Sequence, residues 1–444
     1  MTRSPNLESV STKLKRIAQL AREDRTRVLV SLAHHIDVDL LREAYRRTRK
    51  DGALGVDGQT AAAYEENLKD NLQSLLDRFK SGLYKAPPVR RAYIPKGSDP
   101  SKKRPIGVPT FEDKVLQRAV AMVLEAVYEQ DFLDCSYGFR PGRSAHQAIG
   151  NLREGLMAIK GGWVLEADIE GFYDNLDPRH LRSFLDQRVR DGVMRRAIDK
   201  WLSAGVMEEG RLSHPETGTS QGGVISPLLS NIYLHKVLDE WFEATVKPRL
   251  QGQALLIRFA DDFVIAFQLE RDARRVLEVL PKRFDSYGLR LHPDKTRLLR
   301  FERPRETEPG EPPQESPRSF DFLGFTHYWE KSLRGYWAVK RKTASDRSTR
   351  FLRKLNLWCQ GNRHAPMARQ HTQILSKLRG HYGYFGVTGN SRCLNSVHHW
   401  AKRIWRKWLS RRSRKSNLTW ARFNLLLERY PLPNPRICHG HTAA

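Results

Sequence analysis

The chain has 444 residues, more than the roughly 250–300 at which one hydrophobic core stops growing, so two or three subdomains are expected. A hydrophobic fraction of 39% with 10 Trp and 18 Phe supplies real cores and excludes wholesale disorder. The formal net charge of +27 calls for a polyanion, most commonly nucleic acid, and no apolar run approaches the ~20 residues of a membrane-spanning helix.

Residues 1–60 read as helical and basic, and the opening "MTRSPNLESV" lacks the apolar stretch of a secretory signal. They end in "KDGALGVDGQT" (50–60), a Gly/Asp-rich loop. Residues 61–90 begin helical, with Gly82 near the C-terminal end of the pattern. "RRAYIPKGSDPSKKRPIGVPT" (90–110) reads as two strands joined by a polar basic loop, and a long helix is expected from about Phe111 to Tyr128. "GGWVLEADIEGFYDNL" (161–176) is a strand ending in acidic residues, after which Asp177-Pro178 opens a helix with Pro at its first position. In "TSQGGVISPLLSNIYL" (219–234), Gly222-Gly223 let the backbone come close to a ligand, and Pro227 opens the helix that follows. "LLIRFADDFVIAF" (255–267) is a pair of short strands. Their bend carries Asp261 and Asp262 in place of the Asn-Gly or Asp-Gly of an ordinary hairpin turn. "FERPRETEPGEPPQESPRS" (301–319) is a Pro- and Glu-rich loop, "FDFLGFTHYW" a strand pair, and the last third is basic and mostly helical. The four cysteines, Cys135, Cys359, Cys393 and Cys438, form no C-x-x-C pair, which argues against a zinc knuckle or disulfide framework and fits a reducing cytoplasm. This irregular order of strands and helices predicts an α+β centre with a helical appendage.

Asp168 stands where the strand "WVLEAD" hands over to a loop. Alone it reads as a helix cap, and an Asp-Asp dipeptide arises by chance. In combination, two hydrophobic strands each end in carboxylates. Side by side they hold three like charges within a few ångströms, which only a cation neutralises. Hard oxygen ligands select Mg²⁺ or Mn²⁺. Two such ions ~4 Å apart are the machinery of in-line phosphoryl transfer. Because side chains alternate along a strand, Asp261 is expected to be the fuller ligand of the adjacent pair. Lys96 and Arg104 lie on opposite strands of the 90–110 hairpin, where both reach one triphosphate; the plain alternative is a solvated surface loop. Gln221 offers a donor and an acceptor to a nucleotide or base. Lys295 in "LHPDKT" is a candidate proton donor to a leaving pyrophosphate, or simply a surface lysine.

"EADIEGFYDNLD", "SQGGVISPLLSNIYL", "RFADDFVIAF", "LHPDKT" and "FDFLGF" resemble, in this order, the motif series of reverse transcriptases. "SYGFRPGRSAHQAI" within 104–149, and "LRGHYGYFGVTGNS" (378–391), are similar to the bacterial group II intron reverse transcriptase/maturase lineage. The resemblance spans roughly residues 40–410. It implies a right-hand polymerase with fingers, a palm built on an antiparallel sheet, a helical thumb and a short basic C-terminal extension. The expected division is an N-terminal extension and template-covering loop at 1–60, fingers at 61–160, palm at 161–335, thumb/maturase domain at 336–410 and a basic tail at 411–444, a candidate DNA-binding remnant. It implies catalytic, metal-binding aspartates at Asp168, Asp261 and Asp262, with Asp262 nearer the primer end. Phe172 matches the bulky gate that excludes a 2′-hydroxyl, Gln221 the nucleotide pocket, Lys96 and Arg104 the triphosphate-holding residues, and Lys295 the lysine after the catalytic hairpin. Two Mg²⁺ ions, with Mn²⁺ as substitute, are the implied cofactors. Implied partners are group II intron RNA, an RNA template with a DNA primer, target DNA and dNTPs, in a bacterial, nucleoid-associated cytoplasmic setting without a membrane. Oligomeric state stays open between a monomer and a dimer on RNA. Phe259 stands where Tyr is commoner, Ser220 replaces the usual Pro, and no Cys or His ladder of an HNH endonuclease is seen, so a primer borrowed from a replication fork is expected.

Between Lys331 and Trp420 there are 22 Lys or Arg against one acidic residue, Asp346. Trp400, Ile404 and Trp408 recur at helical spacing and predict an apolar seam, with Lys402, Arg403, Arg406 and Lys407 on the other faces as nucleic-acid contacts. A structured RNA is gripped in this way by shape and backbone. The expected function is therefore an RNA-directed DNA polymerase that assists splicing of its intron RNA. A domesticated or defence-associated reverse transcriptase using another RNA, and an RNA-binding splicing cofactor with a vestigial polymerase site, are the alternatives.

Overall fold

The computed structural model describes residues 7–95, 103–208, 210–213, 222–304, 319–332, 334–413 and 417–440. Its architecture is mixed α and β. Strands β1 (Val89–Pro95), β2 (Lys103–Val108), β3 (Trp163–Ala167), β4 (Val206–Glu208), β5 (Arg211–Ser213), β6 (Ala254–Phe259), β7 (Asp262–Phe267) and β8 (Arg297–Arg300) make two sheets, ordered β2-β1-β4-β5 and β6-β7-β3-β8. The chain divides into two compact units, one of residues 1–148, 165–265 and 269–298, the other of residues 149–164, 266–268 and 299–444.

In the first unit the helices Leu7–Glu23 and Val38–Arg47 pack against the long helix Phe111–Tyr128. That helix starts as its sequence predicts, because Thr110 accepts a hydrogen bond from the backbone N of Asp113. Its apolar residues face inward on nearly every side, with Val115, Leu116, Val120 and Val123 fully buried. Helix Leu68–Ser81 stops at Gly82, whose φ of +79° is the left-handed cap that ends many helices. β1 and β2 form the antiparallel hairpin expected from 90–110, with Ile94 opposite Arg104. Helix Pro178–Asp186 carries Pro at its start and Asp177 as N-cap, accepting from the Arg179 backbone N.

In the second unit β9 (Phe320–Phe322), β10 (Phe325–Lys331) and β11 (Trp337–Thr343) form a sheet ordered β11-β10-β9. β9 and β10 are the strand pair expected from "FDFLGFTHYW" (320–329). β11 lies where the sequence reads as mostly helical, and its residues 337–343 pair along β10 from Phe325–Thr343 to Lys331–Trp337. His327 on β10 is fully buried, stacked on Phe320 with ring centroids 4.8 Å apart. Helices Ser345–Gly361, Met367–Phe385, Ser391–Leu409 and Trp420–Arg429 follow, sharing a core of Leu355, Ile374, Leu378, Leu394, Trp405 and Phe423. The seam of helix Ser391–Leu409 runs through Leu394, Val397, Ala401, Trp405 and Trp408. Of the seam expected through Trp400, Ile404 and Trp408, Trp408 is buried and Ile404 packs against the core, whereas Trp400 is 46% exposed, one helical step out of phase with the buried face.

Candidate active site

In the first unit the chain leaving β3 pairs with residues 290–292. The backbone N of His292 donates to the Asp168 carbonyl at 2.8 Å, and that of Glu170 to the Arg290 carbonyl at 2.8 Å. A turn follows in which the backbone N of Lys295 donates to the His292 carbonyl. It returns Lys295 to Asp168, and Nζ ion-pairs with the carboxylate. Two residues along each chain, Arg297 pairs with Glu166 in the same way.

Asp261 lies in the two-residue turn between β6 and β7, after Ala260, whose φ is +58°. Burial, and then the negative charge of Asp168, push the Asp261 carboxyl above the usual carboxylate range; Arg104 and Lys295 pull it back. Asp168, Asp261, Arg104 and Lys295 therefore share one electrostatic site. Tyr173 belongs to it too. Burial and the Asp261 charge raise its phenol, while a hydrogen bond with Ser230 and the charge of Arg104 oppose them.

No group of three or more His, Cys, Asp or Glu arranged to hold a metal ion occurs among the described residues. Asp168 and Asp261 meet electrostatically, and Asp262 is the exposed first residue of β7. Phe172, expected beside the sugar, is only 3% exposed and packs edge-on against Tyr173 and Tyr233. The short helix Phe172–Asn175, entered through Gly171 at φ +51°, turns residue 172 into the core and leaves residue 173 to the site. Lys96 and Gln221 lie outside the described residues. The Asp168–Asp261 donor set is all carboxylate oxygen, which fits a hard divalent cation such as Mg²⁺.

Sequence reading missed the residues that hold this site in shape. Gln117 reaches the glycine-bearing loop: its Oε1 accepts from the backbone N of Val224 at 2.7 Å, and its Nε2 donates to Asp113 at 3.0 Å. Asp113 also accepts from Trp201 Nε1 at 2.7 Å and from the Tyr84 hydroxyl. Gly222, read as a point of approach for a ligand, has φ +121°, and a Cβ there would overlap Ile106 and Gly107 of β2. Its nearest neighbour is the protein itself. Arg258, beneath the Asp261 turn, is completely buried. A cation between "LLI" and "FA" in an otherwise apolar strand was the available signal, since Arg is almost never fully buried unless paired.

In the second unit Lys402, Arg403, Arg406 and Lys407 all lie on helix Ser391–Leu409. Arg403 and Lys407 are exposed, and Lys402 and Arg406 are half-buried. Several of these cations sit over rings: Arg403 is 5.0 Å from the centroid of Trp400 and Arg406 is 4.3 Å from that of Trp420. No described helix in either unit is long and apolar enough to cross a membrane.

An α+β frame that sets an acidic pair and flanking cations on strand ends suits a phosphate-bearing substrate. The family model for reverse transcriptase (RNA-dependent DNA polymerase) matches residues 94–327, more than half of the chain, and the chain belongs to that family. It is 38% identical over 229 residues to Group II intron-encoded protein LtrA of Lactococcus lactis subsp. cremoris, a match spanning 50% of this chain but only 37% of that protein's length. Protein YkfC of Escherichia coli (strain K12) is 34% identical over 280 residues, spanning 55% of this chain and 71% of the relative. Nuclear intron maturase 2, mitochondrial, of Arabidopsis thaliana is 28% identical over 180 residues, 31% of this chain and 24% of the relative.

Proposed function

We propose that the chain is an RNA-directed DNA polymerase that also binds a group II intron RNA and assists its splicing and its mobility by target-primed reverse transcription. The observation that carries this reading is the meeting of Asp168, Asp261, Arg104 and Lys295 at one site in a member of the reverse transcriptase family. In this reading residues 61–160 are fingers, 161–335 palm and 336–410 thumb of a right-hand polymerase, with 1–60 an extension over the template and 411–444 a basic tail.

Asp168 and Asp261 would hold the divalent ions, Mg²⁺ or Mn²⁺, with Asp262 on the primer side. Such ions, when bound, activate the attacking hydroxyl and stabilise the leaving oxygen of an in-line displacement. Arg104, together with Lys96, neutralises the triphosphate of an incoming dNTP and aligns it. Lys295 is within reach to return a proton to the departing pyrophosphate. Gln221 lines the nucleotide pocket. The aromatic ring against the sugar is Tyr173, which shares the electrostatic site, in place of the core-packed Phe172. Lys402, Arg403, Arg406 and Lys407 contact RNA phosphates.

Primer extension on an RNA template tests the reading. Asp261→Ala abolishes extension while intron RNA binding and splicing continue; extension that survives in Asp261→Ala rejects the polymerase site. Sequencing of RNA that co-purifies with the chain tests the partner, which is expected to be an intron flanking the reading frame.

A further inference from the structure

Arg258 has no role in the chemistry above, yet its side chain is the largest charged group in the core of the first unit, with 0% exposure. Nε and Nη2 donate to the two Asp239 oxygens at 2.7 and 2.6 Å. This is a bidentate pair, and Asp239 is equally buried. The remaining donors are also used. Nη2 donates to Ser136 Oγ at 2.8 Å, and Nη1 donates at 3.0 Å both to Asn231 Oδ1 and to the carbonyl of Ala260. That last contact matters because Ala260 is the left-handed residue immediately before Asp261.

The same partners close on the turn from its other side. Asn231 Nδ2 donates to the Gly138 carbonyl at 2.7 Å. The backbone N of Tyr137 donates to the Arg258 carbonyl at 2.9 Å, and that of Arg258 to the Cys135 carbonyl at 2.7 Å. A Cβ on Gly138 would overlap the backbone N of Ala260, so only glycine allows this segment to lie flat on the turn. Burial opposes the charge on Arg258, but the Asp239 carboxylate outweighs it and keeps the guanidinium above its usual range; Asp261 adds a smaller pull in the same direction.

Removing a charged pair from water is costly and is repaid only where the geometry is excellent, so such a pair is weak evidence for stability and better evidence for a fixed arrangement. We propose that Arg258, locked by Asp239, Asn231 and Ser136, is the positioning residue that holds the Ala260–Asp261 turn so that the Asp261 carboxylate is aimed to bind a divalent cation. This rests on the reading of Asp261 as a metal-holding residue.

The test measures Mn²⁺ affinity of the intact chain by electron paramagnetic resonance, beside the Mg²⁺ dependence of primer extension and the thermal midpoint. Arg258→Lys keeps the charge but cannot make the forked set of contacts. It is expected to weaken Mn²⁺ binding by about 10-fold, the lower end of what loss of a supporting partner costs, and to raise the half-saturating Mg²⁺ concentration by a similar factor. Ser136→Ala removes one anchor and leaves the pair with Asp239 intact; it serves if Arg258→Lys does not fold, and is expected to shift Mn²⁺ affinity by about 3-fold in the same direction. A folded Arg258→Lys, or in its absence Ser136→Ala, with unchanged Mn²⁺ affinity and Mg²⁺ requirement overturns the proposal. Asp261→Ala separates the two ideas. If it too leaves Mn²⁺ binding unchanged, the metal reading has failed; if it loses binding while the Arg258 and Ser136 variants keep it, the positioning role alone has failed.

Discussion

The acidic site of the first unit and the basic helices of the second use charge in opposite ways. Around Asp261 the charges are few and matched to named partners: Arg258 to Asp239 and Asp113 to Trp201 and Gln117 in the core, and the half-exposed Lys295 to Asp168. Along helix Ser391–Leu409 they are many, exposed or half-buried, and several lie over tryptophan rings rather than on carboxylates. A buried pair fixes distance and direction, which a reaction needs. A solvated array fixes only local potential, which suits the repeating charge of a nucleic acid backbone. Each region can be broken in its own way.

Loss of the carboxylates is the largest expected effect, because extension should fall to background in Asp261→Ala. Next comes the basic array. Changing Lys402, Arg403, Arg406 and Lys407 together to Gln should lower the slope of log affinity for structured RNA against log salt by about 3–4, as each lost phosphate contact releases one fewer counterion. An unchanged slope in a filter-binding titration would remove these residues from the interface. The two tryptophan environments give the third test. Trp405→Ala should cost about 3–5 kcal/mol, since it empties a site that is fully buried and hydrogen-bonded to Gln370, whereas exposed Trp400→Ala should cost under about 0.5 kcal/mol. Denaturant midpoints of the two variants decide it.

The smallest effects are in pH, and they run in opposite directions. Burial pushes Asp113 up to about 6, so between the ordinary carboxylate range and that value the folded chain holds a proton that the unfolded chain has released. Its contribution is full at low pH and is lost as pH rises through about 6. Burial, with Arg341 adding to it, drives His327 down to about 3 from 6.5, so below 6.5 the unfolded chain takes up a proton that the folded one refuses. That contribution is present above 6.5 and declines as pH falls. Asp113→Asn should remove a fall in stability as pH rises from about 4 to 6, and His327→Phe a rise between about pH 3 and 6.5, each by about 1–2 kcal/mol. Thermal midpoints from pH 4 to 8 that are parallel to the parent chain would contradict both assignments.

Much of the fold was legible because it is written in local chemistry. Thr110 before an apolar periodic run, Pro178 after Asp177, and the paired apolar runs around 255–267 each declare an element without reference to the rest of the chain. The acidic strand ends and the excess of cations after residue 331 were equally open to reading. Phase by a single residue was not legible: Phe172 is buried beside Tyr173, and Trp400 is exposed where Trp405 is buried. Neighbouring aromatics have the same composition signal, and only the packing of the turn or helix selects which of them faces inward. β11 was missed for a related reason, since its Lys and Arg residues hide a strand that β10 recruits.

The sequence by itself determined which chemistry was available: carboxylates at strand ends, a basic array, and caps and turns at their places, because these depend on residue type and near neighbours. Tertiary structure decided which of those groups act together. Asp168 and Asp261 became a pair, and Arg258 acquired Asp239, Asn231 and Ser136 as partners. Those contacts join residues far apart in the chain, and their energies arise only once water has been excluded between them.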